Sequence, residues 1–227
     1  ELSDDLSLPL LQIKTTLEVL GARGLSPEKV RLQSVSLKSN AENGLQLIEA
    51  YRMALHTDET SMLDLESVAM AAVLNEAAHQ LEPYAKNYAT KMEVDIIGRF
   101  APVLAHKASL VAALQCLGAS LVRAQAAQRK RKNYRVILGA HRSTDGLITT
   151  GVFSNARGLS DQTLRAARGL VGRARQPFPA LPAGSASGVL IADMLCSAMW
   201  QPLRQAAHRQ MSGLATAVPL SKQLQFM

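Results

Sequence analysis

The sequence predicts an α+β chain: an N-terminal antiparallel two-helix hairpin followed by an α/β sandwich. Three observations carry that expectation. Residues 2–21 and 27–56 each hold one apolar stripe with steps of three and four, separated by a short glycine-containing break at Gly21–Gly24. A polar stretch, His56 to Ser61, then ends the helical texture. Beyond it, helix-like and strand-like segments occur in runs, which suits helices packed on one face of a mostly antiparallel sheet.

In the first helix the stripe is Leu2, Leu6, Leu10, Ile13, Leu17 and Leu20. Asp4 and Asp5 fall in its first turn, where negative charge suits the helix dipole. Pro9 lies inside it and should remove a hydrogen bond and kink it. Ser26-Pro27-Glu28 reads as a helix start, with a capping Ser and Pro at the first helical position. The second stripe is Val30, Leu37, Ala41, Leu45, Ile48 and Leu55. One hairpin cannot bury both stripes, whereas two hairpins form a four-helix bundle, so a homodimer through residues 1–57 is expected.

Residues 62–227 should make the second domain. Val68–Asn87 and Lys107–Ala127 read as helices, and Glu93–Ile97 alternates like a strand. Tyr134–Ala140 and Leu147–Ser154 read as strands around a turn at Ser143–Gly146. Leu159–Ala174 reads as a basic helix, and Gln176–Gly188, rich in Pro and Gly, as a loop. Val189–Arg209 reads as a helix broken near Pro202, and Leu214–Val218 as the last strand.

Composition narrows the function classes. Hydrophobic residues make up 48% of the 227 and aromatic residues 4%, so aliphatic side chains must build the core. No uninterrupted apolar run reaches the roughly 18 residues that span a bilayer. Glu1-Leu2-Ser3 opens no signal-peptide pattern, and without an initiator Met the chain is expected to be trimmed from something longer. Cys116 and Cys196 sit far apart in apolar contexts and read as buried thiols of a reducing cytoplasm. No Cys/His cluster has metal-ligand spacing. The net charge of +7 suits an acidic partner, yet no aromatic platform accompanies the basic segments, so nucleic acid is not expected.

One motif goes further than composition. The string Ser3-Asp4-Asp5-Leu6-Ser7-Leu8-Pro9-Leu10-Leu11-Gln12-Ile13 resembles the S-H-E-L-R-x-P-L-x-x-I opening of the bacterial sensor histidine kinase core. Ser, the second acidic residue, Leu, Pro, Leu and Ile fall in register, but Asp4 stands where the phosphoacceptor His belongs. The rest of the chain resembles the family's ATPase domain more weakly. Ser120 takes the place of the Asn that holds Mg²⁺, with Cys116 one turn earlier at another usual Asn. In the next box Ser154 replaces the Asp that reads adenine and Ala156 the first Gly, while Gly158 remains. In the phosphate loop Gly184 and Gly188 remain around Ala186. The ending Ala215-Thr216-Ala217-Val218-Pro219-Leu220-Ser221 is similar to the family's closing strand and exit.

The resemblance implies a sandwich of the histidine kinase ATPase type and a signalling role. The substitutions imply a degenerate member, a pseudokinase with no catalytic residue and no cofactor. Asp4 has no imidazole, and Asp5 keeps the acidic neighbour without its client. Replacing the adenine-reading carboxylate costs about 1.5–3 kcal/mol of binding. The implied partner is a receiver domain or an active histidine kinase, docked near Asp4, Ser7 and Leu8. Two alternatives stay open: an active kinase or histidine phosphotransferase of the same family, and a basic anion-binding or nucleic-acid-binding module. For the last, Arg129–Lys132 and Arg157, Arg165, Arg168, Arg173 and Arg175 supply the charge, although a solvated basic face explains them as well.

Overall fold

A computed structural model describes residues 2–21, 25–35, 37–38, 41, 44, 48, 63–126, 135–155, 161–168, 185–199 and 201–221. Helix α1 spans Leu2–Leu20 and runs through Pro9 without interruption. The chain resumes as helix at residue 27 behind Ser26, which acts as predicted: its carbonyl accepts from Val30 N at 3.0 Å and its Oγ from Lys29 N at 3.4 Å. Much of the second hairpin helix and the stretch at 56–61 lie outside the described residues. Along the two stripes, Leu10 and Leu17 on α1, with Val30 and Ile48 after the break, stand exposed within this single chain.

The second part is α+β. Its elements are β1 (Glu66–Val68), α2 (Met70–Asn87), β2 (Lys91–Ile97), β3 (Val103–Ala105), α3 (Lys107–Ala126), β4 (Arg135–Arg142), β5 (Ile148–Ser154), α4 (Asp161–Arg168), α5 (Ser185–Ala198), β6 (Arg204–His208) and β7 (Met211–Val218). Five strands form one sheet in the order β2-β4-β5-β7-β6. Among the described residues only the β2–β4 pair is parallel, and β1 and β3 make a separate antiparallel pair. Pro219-Leu220-Ser221 leaves β7 and ties the two sheets together. Leu104 N donates to Pro219 O and Ser221 N to Pro102 O, both at 2.8 Å.

Alternation along the strands sorts the residues. Val136, Leu138, Ala140, Ile148, Val152, Leu214 and Val218 face the helices and join one core with Leu74, Leu110, Leu114, Leu117, Leu121 and Leu195. Each such side chain contributes roughly 1.5–3 kcal/mol. Helix α3 is apolar nearly all round because α2, α5 and the sheet enclose it. By length and composition Lys107–Gln125 could cross a membrane, but in this fold its apolar surface is buried within the protein. Cys116 and Cys196 are buried and form no disulfide, and burial pushes the Cys196 thiol up to about 12.

Two expectations fail in the C-terminal third. Residues 185–188 are not loop but the first turn of α5. Residues 204–208 are not helix but the strand β6; α5 ends at Ala198, before Pro202. Arg204-Gln205-Ala206-Ala207-His208 has no strong strand preference of its own and is extended because β7 pairs with it.

Candidate functional site

The expected nucleotide boxes that are described pack on α3: α5 through Gly188 and β5 through Ser154. Ser120 is 0% exposed on α3, and its Oγ has no hydrogen-bond partner. Gly188, in the first turn of α5, lies directly against it. A Cβ on Gly188 would collide with Ser120 Oγ and stand 2.8 Å from the Cys116 carbonyl. Here the missing side chain serves the close approach of two helices. Ser154, at the end of β5, is buried too, and its Oγ accepts a hydrogen bond from Gln125 Nε2 of α3. The positions that the resemblance assigns to metal and phosphate, Ser120 and Gly188, thus lie against each other, and Ser154, assigned to adenine, is bonded to α3. Ala186 lies in the same first turn of α5. Ala156, Gly158 and Gly184 lie outside the described residues.

One residue near these boxes was missed from sequence. Arg123 follows Ser120 by three positions and so shares its side of α3. It is 8% exposed, and its Nε and one terminal nitrogen have no partner. A buried guanidinium with unmet donors is costly without an anion. The signal was a cation placed one turn beyond Ser120 in an otherwise apolar helix.

The basic segment is largely spoken for where it is described. Arg165 pairs with Asp161 four residues earlier. Arg168 grips Asp193 of α5 with two bonds, Nε to Oδ2 at 2.7 Å and a terminal nitrogen to Oδ1 at 2.8 Å. Asp193 is 6% exposed and also accepts from Leu203 N at 3.0 Å, while Arg168 donates to Leu203 O at 2.9 Å. Asp161 N donates to Gln205 Oε1 at 3.1 Å. Helix α4 is therefore fastened at both ends to α5 and β6. Arg157, Arg173, Arg175 and Arg129–Lys132 lie outside the described residues.

Asp4, Asp5, Ser7 and Leu8 all lie on α1, before Pro9. Two histidines are engaged in side-chain bonds. His106 Nδ1 lies 2.8 Å from Ser109 Oγ and accepts from Ser109 N at 3.3 Å, at the start of α3. His208 is buried and bonded to His141 and Asp95. His56 lies outside the described residues. No group of three metal-ligating side chains occurs among the described residues. Cavities of about 380 and 370 Å³ lie away from the boxes, one beside Arg168, Ser197 and Arg204 and one beside Met70, Arg99 and Phe100.

Comparison with known proteins agrees with this architecture. Neither a protein-family model nor a curated protein matches the chain. Solved structures do. The histidine kinase AdeS of Acinetobacter baumannii superposes with a TM-score of 0.55 at 12% identity, over 94% of this chain and 96% of that one. Full-length ShkA, solved with AMPPNP, gives 0.55 at 15% identity over 95% of this chain, which spans 46% of ShkA. The histidine kinase ThkA, in complex with the response regulator TrrA, gives 0.55 at 10% identity over 97% of this chain and 60% of that one. At these identities the likeness is one of fold, and the fold of this chain is that of a histidine kinase core, a helical hairpin followed by an ATPase-type α/β domain.

Proposed function

We propose that this chain is a non-catalytic, histidine-kinase-like signalling protein. In this reading residues 1–57 form the dimerization hairpin, residues 62–227 form a degenerate ATPase-like domain, and the two present docking surfaces to signalling partners. The observations that support it are the burial of Ser120 directly against Gly188 and of Ser154 on Gln125, because positions closed by neighbouring protein atoms leave little room to hold nucleotide. Asp4 supports the same reading, since a carboxylate at the phosphoacceptor position offers no imidazole nucleophile. Two buried thiols that form no disulfide suit a reducing cytoplasm.

With Mg-ATP carrying a labelled γ-phosphate, the full chain is expected to take up no label. Calorimetry is expected to show no Mg-ATP dissociation constant below about 100 micromolar. Label on the chain, or tighter binding, would overturn the proposal. One observation favours a second reading, in which the chain still binds an anion or a nucleotide: the unmet donors of buried Arg123. In that case affinity for Mg-ATP or for inorganic phosphate should be measurable and should disappear in Arg123→Met.

The exposed stripe on the hairpin supports the homodimer. Leu10→Glu combined with Leu17→Glu is expected to halve the mass in solution, measured by light scattering, without altering the circular dichroism of the α/β part. An unchanged mass, whether monomeric or dimeric in both proteins, would contradict the seam. The partner we propose for the surface around Asp4, Ser7 and Leu8 is a receiver domain. The fold shared with ThkA, which was solved with a response regulator, supports that choice.

A further inference from the structure

The second face of the sheet, opposite the helices, holds a partly buried chain of charged and titratable groups, with His208 at its centre, that the proposed function does not use. Register places Asp95 of β2 beside Gly139 of β4, and His141 beside Thr149 of β5. The β6–β7 hairpin curls over this face. The His208 ring stacks on Phe153, with centroids 5.0 Å apart and planes 24° from parallel. It also lies so close to Gly139 that a Cβ there would stand 2.9 Å from its ring atoms. His208 is 1% exposed. Its Nε2 lies 2.8 Å from Asp95 Oδ2, and its Nδ1 lies 3.0 Å from His141 Nδ1.

Arg209, at the hairpin tip, donates to the same carboxylate, Nε to Oδ2 at 2.5 Å and a terminal nitrogen to Oδ1 at 3.0 Å. These bonds hold the Asp95 carboxyl down to about 2, against the upward push of partial burial, and His208 adds to the effect. Arg204 of β6 approaches His141 and lies within 3.4 Å of Thr149 Oγ1. One residue pair further along the same face, Glu93 is bridged by Lys91 and Arg135.

Proton counting defines what this arrangement can do. An ionised Asp95 accepts a hydrogen bond from Nε2–H of His208, so the bond between the two Nδ1 atoms holds a single proton, donated by His141 when both rings are neutral. One further proton is tolerated: either ring becomes an imidazolium and still donates to its neutral partner. A fourth proton on the four ring nitrogens leaves two N–H groups facing each other at 3.0 Å, and the bond is lost.

We propose that the His141–His208 pair is a proton-operated latch that holds the β6–β7 hairpin against the sheet and, through β6, sets the grip on helix α4. The connection to α4 is direct. Leu203 and Gln205 flank Arg204 and hold the Arg168–Asp193 pair and the first amide of α4. The sign follows from His141. Burial, then the neighbouring His208 and then Arg204, hold its imidazole below the ordinary histidine range. A group depressed in the closed state takes its proton more readily in the open one. The latch is therefore intact above about 6.5, the free histidine value, and is lost as pH falls from there towards the lowered value. Asp95 titrates in a separate window, below about 3.8.

Hydrogen exchange on the full chain between pH 7.5 and 5.0, corrected for intrinsic rates, tests the latch. Residues 203–211 and 161–168 are expected to open severalfold more readily as pH falls, while residues 110–122 of α3 do not change. In His141→Phe, which keeps a ring beside His208 but removes the shared proton, that pH dependence should vanish. The His141 imidazole resonances of the unmodified chain should change over the same pH range as the hairpin's exchange. Exchange of the hairpin independent of pH, an equal response throughout the core, or the same response in His141→Phe would overturn the proposal.

Discussion

Phe153→Ala is expected to lower the stability of the α/β part by about 3–5 kcal/mol, the range for deleting a fully buried aromatic ring. Phe153 lies on the sheet face away from the helices, where a simple two-layer sandwich would leave it wet and the substitution mild. It is instead fully buried, under His208 of the curled hairpin and beside the buried Ile137. The substitution removes the surface on which His208 rests, so residues 203–211 should also lose protection from exchange. Urea unfolding monitored by circular dichroism gives the comparison. A loss under about 1 kcal/mol would mean that the hairpin does not cover this face.

The second large effect is expected from Asp193→Ala, about 2–3 kcal/mol. Removing one partner of a buried pair commonly costs about 3–5 kcal/mol. The lower figure follows from Arg168, whose side chain is 44% exposed, so that water screens part of the attraction and rehydrates the freed guanidinium. The substitution also leaves the buried Leu203 amide without its acceptor. Since Arg168 closes the last turn of α4, that helix should loosen more than the core does. A double-mutant cycle with Arg168→Met isolates the pair. A coupling near zero would show that α4 is held by its apolar contacts, chiefly the buried Leu164, and not by the ion pair.

The same residues show why the C-terminal third was hardest to read. The helices at 70–87 and 107–126 and the strands β2, β4, β5 and β7 were each legible, because length and periodicity mark them locally. The strands β1 and β3 have three residues each, too few to display a period. For β6 the local preference points the wrong way: Gln, Ala and Arg favour helix, and only pairing with β7 overrides it. The first turn of α5 was masked by the glycines around it. Gly188 looks like a loop residue, yet it lies in a helix pressed against α3.

The candidate site divides along the same line. Ser120, Ser154 and Gly188 could be named from the order and spacing of the boxes, because chain order survives folding. The approach of Gly188 to Ser120, the bond from Gln125 to Ser154 and the buried guanidinium of Arg123 are properties of how elements meet. The Asp95–His208–His141 chain joins residues 113 and 67 positions apart, a separation over which no local pattern carries a signal.

By itself, the sequence determined the order of a kinase-like core, the hairpin stripes and the absence of an imidazole at Asp4. These depend only on periodicity and on the identity of single residues. Tertiary structure alone decided that Gly188 lies against Ser120 and Ser154 on Gln125, that helix α4 is fastened through Asp193, and that a hairpin covers the second face of the sheet. Each of those depends on contacts between distant segments, and the free energy of such contacts comes from burial and pairing that no stretch of the chain possesses until it meets its neighbour.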